Sequence, residues 1–117
     1  MAWNVKFFQT TRGDYPVKEL IEEQDEATYA KVLQAIKLLA NNGPFLKPPY
    51  IKKLQDKQSL RLRLKLYELR ISGTVALRIF YTIYNNEYYL LHALKKKSQK
   101  TPTQEIKTAL DRMKEIV

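Results

Sequence analysis

The chain opens on alternation: Trp3, Val5 and Phe7 are set against Asn4 and Lys6, the two-residue period of a short half-buried strand over Trp3–Phe8. The stretch Thr10 to Asp14 contains Gly13 and predicts a turn. Asp14 is placed to cap a short helix with Pro16 in its first turn, where a missing N–H costs little. Val17, Leu20 and Ile21 give that helix its apolar stripe. From Asp25 the spacing predicts a stronger helix, because Tyr29, Val32, Leu33, Ile36, Leu39 and Ala40 recur on one face of a 3.6-residue turn. Asn41, Asn42, Gly43 and Pro44 end it.

Alternation returns in the second half. Tyr50–Leu54 has the length of a short strand. In SLRLRLKLYELRI, Leu60, Leu62, Leu64 and Leu66 alternate with Arg61, Arg63 and Lys65, but Tyr67, Leu69 and Ile71 carry the apolar set on one position out of phase. A one-residue slip exchanges the faces of a sheet, so this pattern predicts a bulge or strand break near Lys65–Tyr67. Ser72, Gly73 and Thr74 make a turn into VALRIFYTIY (Val75–Tyr84), whose branched and aromatic residues favour a strand. Asn85 and Asn86 both tolerate positive φ and suit a tight hairpin, returning along Glu87–Leu94. Thr101-Pro102-Thr103-Gln104 then combines an N-cap threonine, a proline at the first helical position and a glutamine at the third. Ile106, Ala109, Leu110, Met113 and Ile116 follow on one helical face. Helices gathered beside a meander of strands indicate an α+β fold.

The 117 residues fit one hydrophobic core, so a single domain is expected over 1–117. With 44% hydrophobic residues the chain is too apolar to stay disordered, and no apolar run approaches a membrane span. The opening MAWNVKFFQTTR lacks the pattern of a signal peptide, and the expectation is a small cytoplasmic protein with no membrane partner. Zero cysteines exclude a disulfide scaffold, a zinc finger and a cysteine nucleophile.

Charge changes the picture more by its placement than by its total of +9. Residues 1–43 carry 5 basic and 6 acidic side chains and residues 101–117 carry 3 of each, whereas residues 44–100 carry 13 basic and 3 acidic, a net of +10. A block of that kind is the electrostatic footprint for a polyanion, nucleic acid first, with an acidic protein surface as the other candidate. The alternative is a solvated lysine-rich surface kept for solubility.

Within the block the chemistry available is basic and aromatic. There is no glycine-rich phosphate loop, HExxH, GxSxG or calcium loop, and one histidine cannot build a multi-histidine metal site. Asp56, Glu68 and Glu87 make a poor set for magnesium, so no metal and no cofactor are expected. In LYELRI, Glu68 and Arg70 share one strand face while Tyr67, Leu69 and Ile71 take the other; in VALRIFYTIY, Arg78 and Phe80 lie opposite Leu77, Ile79 and Tyr81. Charges in the middle of two apolar strands need partners. Glu68 paired with Arg70 or Arg78 is the structural reading, and guanidinium forks holding a phosphate the functional one. His92, on the face of Leu90 and Leu94, fits a structural or a catalytic role. Lys52, Lys53, Lys65, Lys95, Lys97 and Lys100 are candidate nucleic-acid contacts, and Tyr81, Tyr84, Tyr88 and Tyr89 candidate stacking platforms.

LYELRI, RIFY and the tract LLHALKKKSQKTP leading into a last helix resemble the phage-derived Gp49-like branch of the RelE/ParE toxin superfamily, which includes HigB-type toxins. The resemblance implies a RelE-like β-α-α-β-β-β-α fold, with a small, mostly antiparallel twisted sheet packed on two N-terminal helices and a C-terminal helix. It also implies a toxin of a type II toxin–antitoxin system: a ribosome-dependent mRNA endonuclease, silenced by a helix-turn-helix, HigA-like antitoxin. By the same resemblance Arg70 and Arg78 occupy positions where RelE-like nucleases carry active-site basic residues. Metal-free RNA cleavage would then use Arg70 and Arg78 as electrostatic stabilisers with Lys96 assisting, and His92 or Glu68 as proton acceptor. The rival readings are a ParE-like toxin that inhibits gyrase by protein contact and a non-enzymatic nucleic-acid-binding protein.

Overall fold

The computed structural model describes residues 2–54, 64–73, 75–96 and 102–116. Strand β1 (Asn4–Phe7) is followed by helices α1 (Pro16–Glu22) and α2 (Glu26–Asn42) and a single 3₁₀ turn at Gly43–Phe45. Four strands follow, β2 (Ile51–Leu54), β3 (Leu66–Ile71), β4 (Leu77–Tyr84) and β5 (Glu87–Lys95), and then helix α3 (Thr103–Ile116). The strands form one open sheet in the order β1-β5-β4-β3-β2, with β1 parallel to β5 and every other pair antiparallel. The α+β expectation holds. The order differs from β-α-α-β-β-β-α by the short edge strand β2, which the apolar pattern of Tyr50–Leu54 had hinted at.

Helices cover both faces of the sheet. On one face, Val17 and Ile21 of α1 and Val32 and Leu39 of α2 pack on Leu69, Ile71, Leu77, Ile79, Tyr81, Tyr88 and Leu90. On the other, Ala109, Leu110 and Met113 of α3 pack on Phe8, Leu66, Phe80 and Leu91. The apparent phase slip before β3 follows from this. Leu64 and Leu66 belong to the α3 face and Leu69 and Ile71 to the α1/α2 face, so a strand buried on both sides looks like two overlapping alternations. β3 starts at Leu66, after the irregular Leu64 and Lys65, so a strand boundary falls within the expected window, and β3 itself pairs with both neighbours without a bulge. The irregularity lies instead opposite Phe80/Tyr81, where Phe80 faces His92 and Tyr81 faces Leu90. Leu91 is the extra residue, and it lets Leu91 and His92 both reach the α3 face. His92 therefore keeps the face of Leu94 but not that of Leu90, which packs on the α1/α2 side.

Local signals fare unevenly. Asn85 and Asn86 have φ of 51° and 64° in the β4–β5 turn, as their side chains allow. Asp25 caps α2 by accepting from the Thr28 N–H at 2.8 Å. Asp14 does not cap α1: Tyr15 takes that position, and the Asp14 N–H and C=O instead close a turn with Thr10. Leu33, at the edge of the α2 stripe, is 45% exposed. The N-cap expected at Thr101 lies outside the described residues. No described helix is long and apolar enough to cross a membrane.

Gly43 ends α2 at φ 51°, and a Cβ there would stand 2.5 Å from Cδ2 of the Trp3 indole. Gly43→Ala therefore combines left-handed strain with a clash against a ring that anchors β1 to α2. The expected cost is about 2–3 kcal/mol, from overpacking and backbone strain together. Thermal unfolding of the variant checks it; an unchanged midpoint would show that the indole moves freely.

Candidate active site

The two arginines singled out in the sequence meet across the β3–β4 ladder. Arg70 and Arg78 are direct cross-strand partners, and Glu68 lies one step along the same face, opposite Phe80. The Arg70 Nε–H donates to Glu68 Oε1 at 3.2 Å, and Arg78 Nε lies 3.5 Å from the same oxygen. Glu68 is 2% exposed at its side chain, against 16% for Arg78 and 32% for Arg70. Two guanidinium groups thus lean over one buried carboxylate. Directly opposed like charges repel on a sheet, and Glu68 offsets that repulsion. Arg78 Nη1 donates to the Leu77 carbonyl at 2.9 Å, while its Nε is buried without a hydrogen-bond partner among the described residues. Burial pulls the Arg78 guanidinium below its ordinary pKa; Glu68 opposes that shift and Arg70 adds to it.

His92 continues the row Glu68, Phe80, His92 across β3, β4 and β5, with its ring stacked near parallel on Phe80 at 6.2 Å between centroids. Helix α3 closes over it. Arg112 Nη1 donates to the Leu91 carbonyl at 2.8 Å and approaches His92 Nδ1 at 3.2 Å, and His92 Nε2 lies 2.5 Å from Glu105 Oε2. An arginine can only donate, so Nδ1 is the acceptor, and the proton of the neutral ring sits on Nε2 and is donated to Glu105. A second ring proton would face Arg112. Neither Glu105 nor Arg112 was singled out from the sequence. The signal was faint: two opposite charges seven residues apart, flanking the stripe Ile106, Ala109, Leu110, Met113.

The candidate lysines scatter. Lys52 pairs across the edge with Glu68 and so lies on the site's face, whereas Lys53 pairs with Tyr67 and takes the other. Lys65 is exposed just before β3, and its carbonyl accepts from the Thr82 hydroxyl at 2.7 Å. Lys95 stands opposite Leu77 on the α1/α2 side. There its charge adds to the Thr28 hydrogen bonds that hold the Asp25 carboxyl below its usual pKa. Lys96 is half-buried and donates its backbone N–H to Ala76 at 2.8 Å; Lys97 and Lys100 lie outside the described residues.

The stacking expectation divides in the same way. Tyr81 and Tyr88 are 3% and 2% exposed, and Tyr81 stacks between Tyr88 and Tyr67 inside the α1/α2-facing core. Burial, with Tyr88 and Tyr67 adding to it, pushes the Tyr81 phenol far above its ordinary pKa. These two rings are core. Among the described residues no three of His, Cys, Asp and Glu gather to hold a metal ion.

A family model described as phage derived protein Gp49-like (DUF891) matches residues 19–114. That span runs from α1 through most of α3 and includes Glu68, Arg70, Arg78, His92, Glu105 and Arg112. No curated protein matches the chain.

Proposed function

Because this chain belongs to the phage-derived Gp49-like family, a family of RelE/HigB-like toxins, we propose that it is a toxin that cleaves mRNA on the ribosome. A toxin family implies an antitoxin partner; the HigA-like, helix-turn-helix identity of that partner belongs to the proposal. The observation that carries the cleavage reading is the Arg70–Arg78 pair. Its two cations are held side by side around a buried carboxylate, and the Arg78 Nε–H, 3.5 Å from that carboxylate, has no hydrogen-bond partner among the described residues.

The chemistry that suits such a pair is attack of an RNA 2′-hydroxyl on its own adjacent phosphate. The step needs a proton acceptor, a proton for the leaving 5′ oxygen and positive charge on the phosphate oxygens. Arg70 and Arg78 supply the charge, held in place by Glu68 and, for Arg78, largely buried, so little reorganisation is needed when negative charge builds. Lys96 follows β5 directly and assists from its end, and Lys52 extends the same face toward the edge. The basic block fits a substrate presented by a larger assembly whose RNA phosphates contribute much of the binding.

Purified protein is expected to cut mRNA on translating ribosomes and to leave the same RNA uncut, or nearly so, when ribosomes are omitted. Cleavage at limiting protein should fall about tenfold or more between 50 and 200 mM salt, as phosphate contacts are screened. Equal cutting of naked RNA would overturn the ribosome dependence. Inhibition of gyrase with no RNA cleavage would replace the proposal with the ParE-like reading.

A further inference from the structure

We infer that Glu105, in the first turn of α3, is the group that takes the 2′-hydroxyl proton, and that His92 and Arg112 are positioning residues that hold it for that task. This rests on the cleavage reading and names the acceptor that reading leaves open. Three groups near the arginine pair could accept a proton. Glu68 is 2% exposed and lies between two guanidinium groups. His92 is 16% exposed, with Nδ1 facing Arg112 and Nε2 facing Glu105. Glu105 is 32% exposed and receives the Nε2–H of His92 on Oε2, which makes its carboxylate the most exposed of the three acceptors.

The chain of contacts runs in one direction. Arg112 is fixed by the Leu91 carbonyl and by the Phe8 ring, which lies 5.4 Å from its guanidinium carbon. Its N–H fixes which nitrogen of His92 bears the proton, and Phe80 fixes the plane of the imidazole. The imidazole in turn fixes the carboxylate. This is the logic of a catalytic triad with the roles shifted by one: an ion sets the tautomer, the imidazole orients, and the exposed end acts.

The position is right for the reaction. Arg78 faces Leu94 across the β4–β5 ladder, so His92 is its diagonal neighbour, roughly 7–8 Å away between backbones. A phosphodiester held by Arg78 therefore lies beside the imidazole and the carboxylate that it orients. In the step itself the 2′ oxygen bonds to phosphorus, its proton passes to Glu105, and the bond from phosphorus to the 5′ oxygen breaks. That oxygen takes a proton from water, and the hydroxide left behind takes the proton from Glu105, so the products are a 2′,3′-cyclic phosphate, a 5′-hydroxyl and the restored carboxylate.

Glu105→Gln tests this with the fold preserved, because the amide oxygen still accepts from His92 Nε2–H. The expected result on programmed ribosomes is a kcat lowered by roughly 10²–10³-fold with KM and melting temperature little changed. Arg112→Ala should lower kcat in the wild-type background and add little to Glu105→Gln, since both act through one carboxylate. The chain has a single histidine, so ¹⁵N resonances report its tautomer directly: a bare Nδ1 and a protonated Nε2 are expected, with the bias lost in Arg112→Ala. Glu105→Gln within threefold of wild type, independent effects of the two variants, or the opposite tautomer would each overturn the assignment. Wild-type protein that cuts no RNA would overturn the cleavage reading and the role of Glu105 with it, whereas wild-type cutting matched by the variant overturns the role alone.

Discussion

Arg70→Ala and Arg78→Ala are each expected to lower the rate of mRNA cleavage by roughly 10²–10³-fold, equivalent to about 2–4 kcal/mol of lost transition-state stabilisation. That is the scale for removing one donor already aimed at developing charge. Both residues stand on the face opposite Leu69, Ile71, Leu77 and Ile79, so truncation opens no cavity in the core against α1 and α2. Each single variant leaves Glu68 facing the other guanidinium, at 3.2 Å for Arg70 or 3.5 Å for Arg78. The carboxylate keeps a counter-charge, and melting temperatures should fall far less than rates. Growth arrest on expression should weaken in parallel with cleavage. Lys95→Ala is the control: its side chain lies on the α1/α2 side near Asp25, and it should change the rate little. Arginine variants that melt early but keep full activity per folded molecule would show that the pair is structural only.

What the sequence makes legible here is what alternation alone can carry. Every second residue of LYELRI and of the LRIFY stretch falls on one face, so Glu68, Arg70 and Arg78 could be placed together before any tertiary contact was known. Pairing of the two strands then sets Arg70 against Arg78. Alternation fails where a strand is covered on both sides. Leu66 and Leu69 are both buried, on opposite faces, and the pattern then imitates a bulge that β3 does not contain. The real irregularity hides in Leu90-Leu91-His92, since the continuous apolar run Tyr88–Leu91 before the histidine gives no phase to slip. Glu105 and Arg112 were invisible for a different reason. They reach His92 from 13 and 20 residues away, and only the docking of α3 on the sheet brings them there. A charge flanking an apolar helical stripe usually meets water, and nothing local distinguishes one that meets a histidine.

Glu68→Ala is expected to have the largest effect on stability. The substitution leaves two guanidinium groups directly opposed on neighbouring strands, with the buried carboxylate between them gone. Breaking a buried ion pair by removing one partner costs roughly 3–5 kcal/mol, which for a chain of this size lowers the melting temperature by about 10–20 °C. Glu68→Gln should cost less, because the amide oxygen still accepts from Arg70 and only the charge is lost. The sharper test is a double-mutant cycle. If the cost of Glu68→Ala arises from uncompensated cations, removing one of them must return part of it, and Glu68→Ala with Arg70→Ala should be more stable than the sum of the single effects by about 1–3 kcal/mol. Simple additivity would show that Glu68 acts through packing alone. A Glu68→Ala protein that melts with the wild type would show that the arginines need no counter-charge to stand together. In that case the site would hold its cations by the strand ladder itself, and their readiness for a phosphate would owe nothing to the carboxylate beneath them.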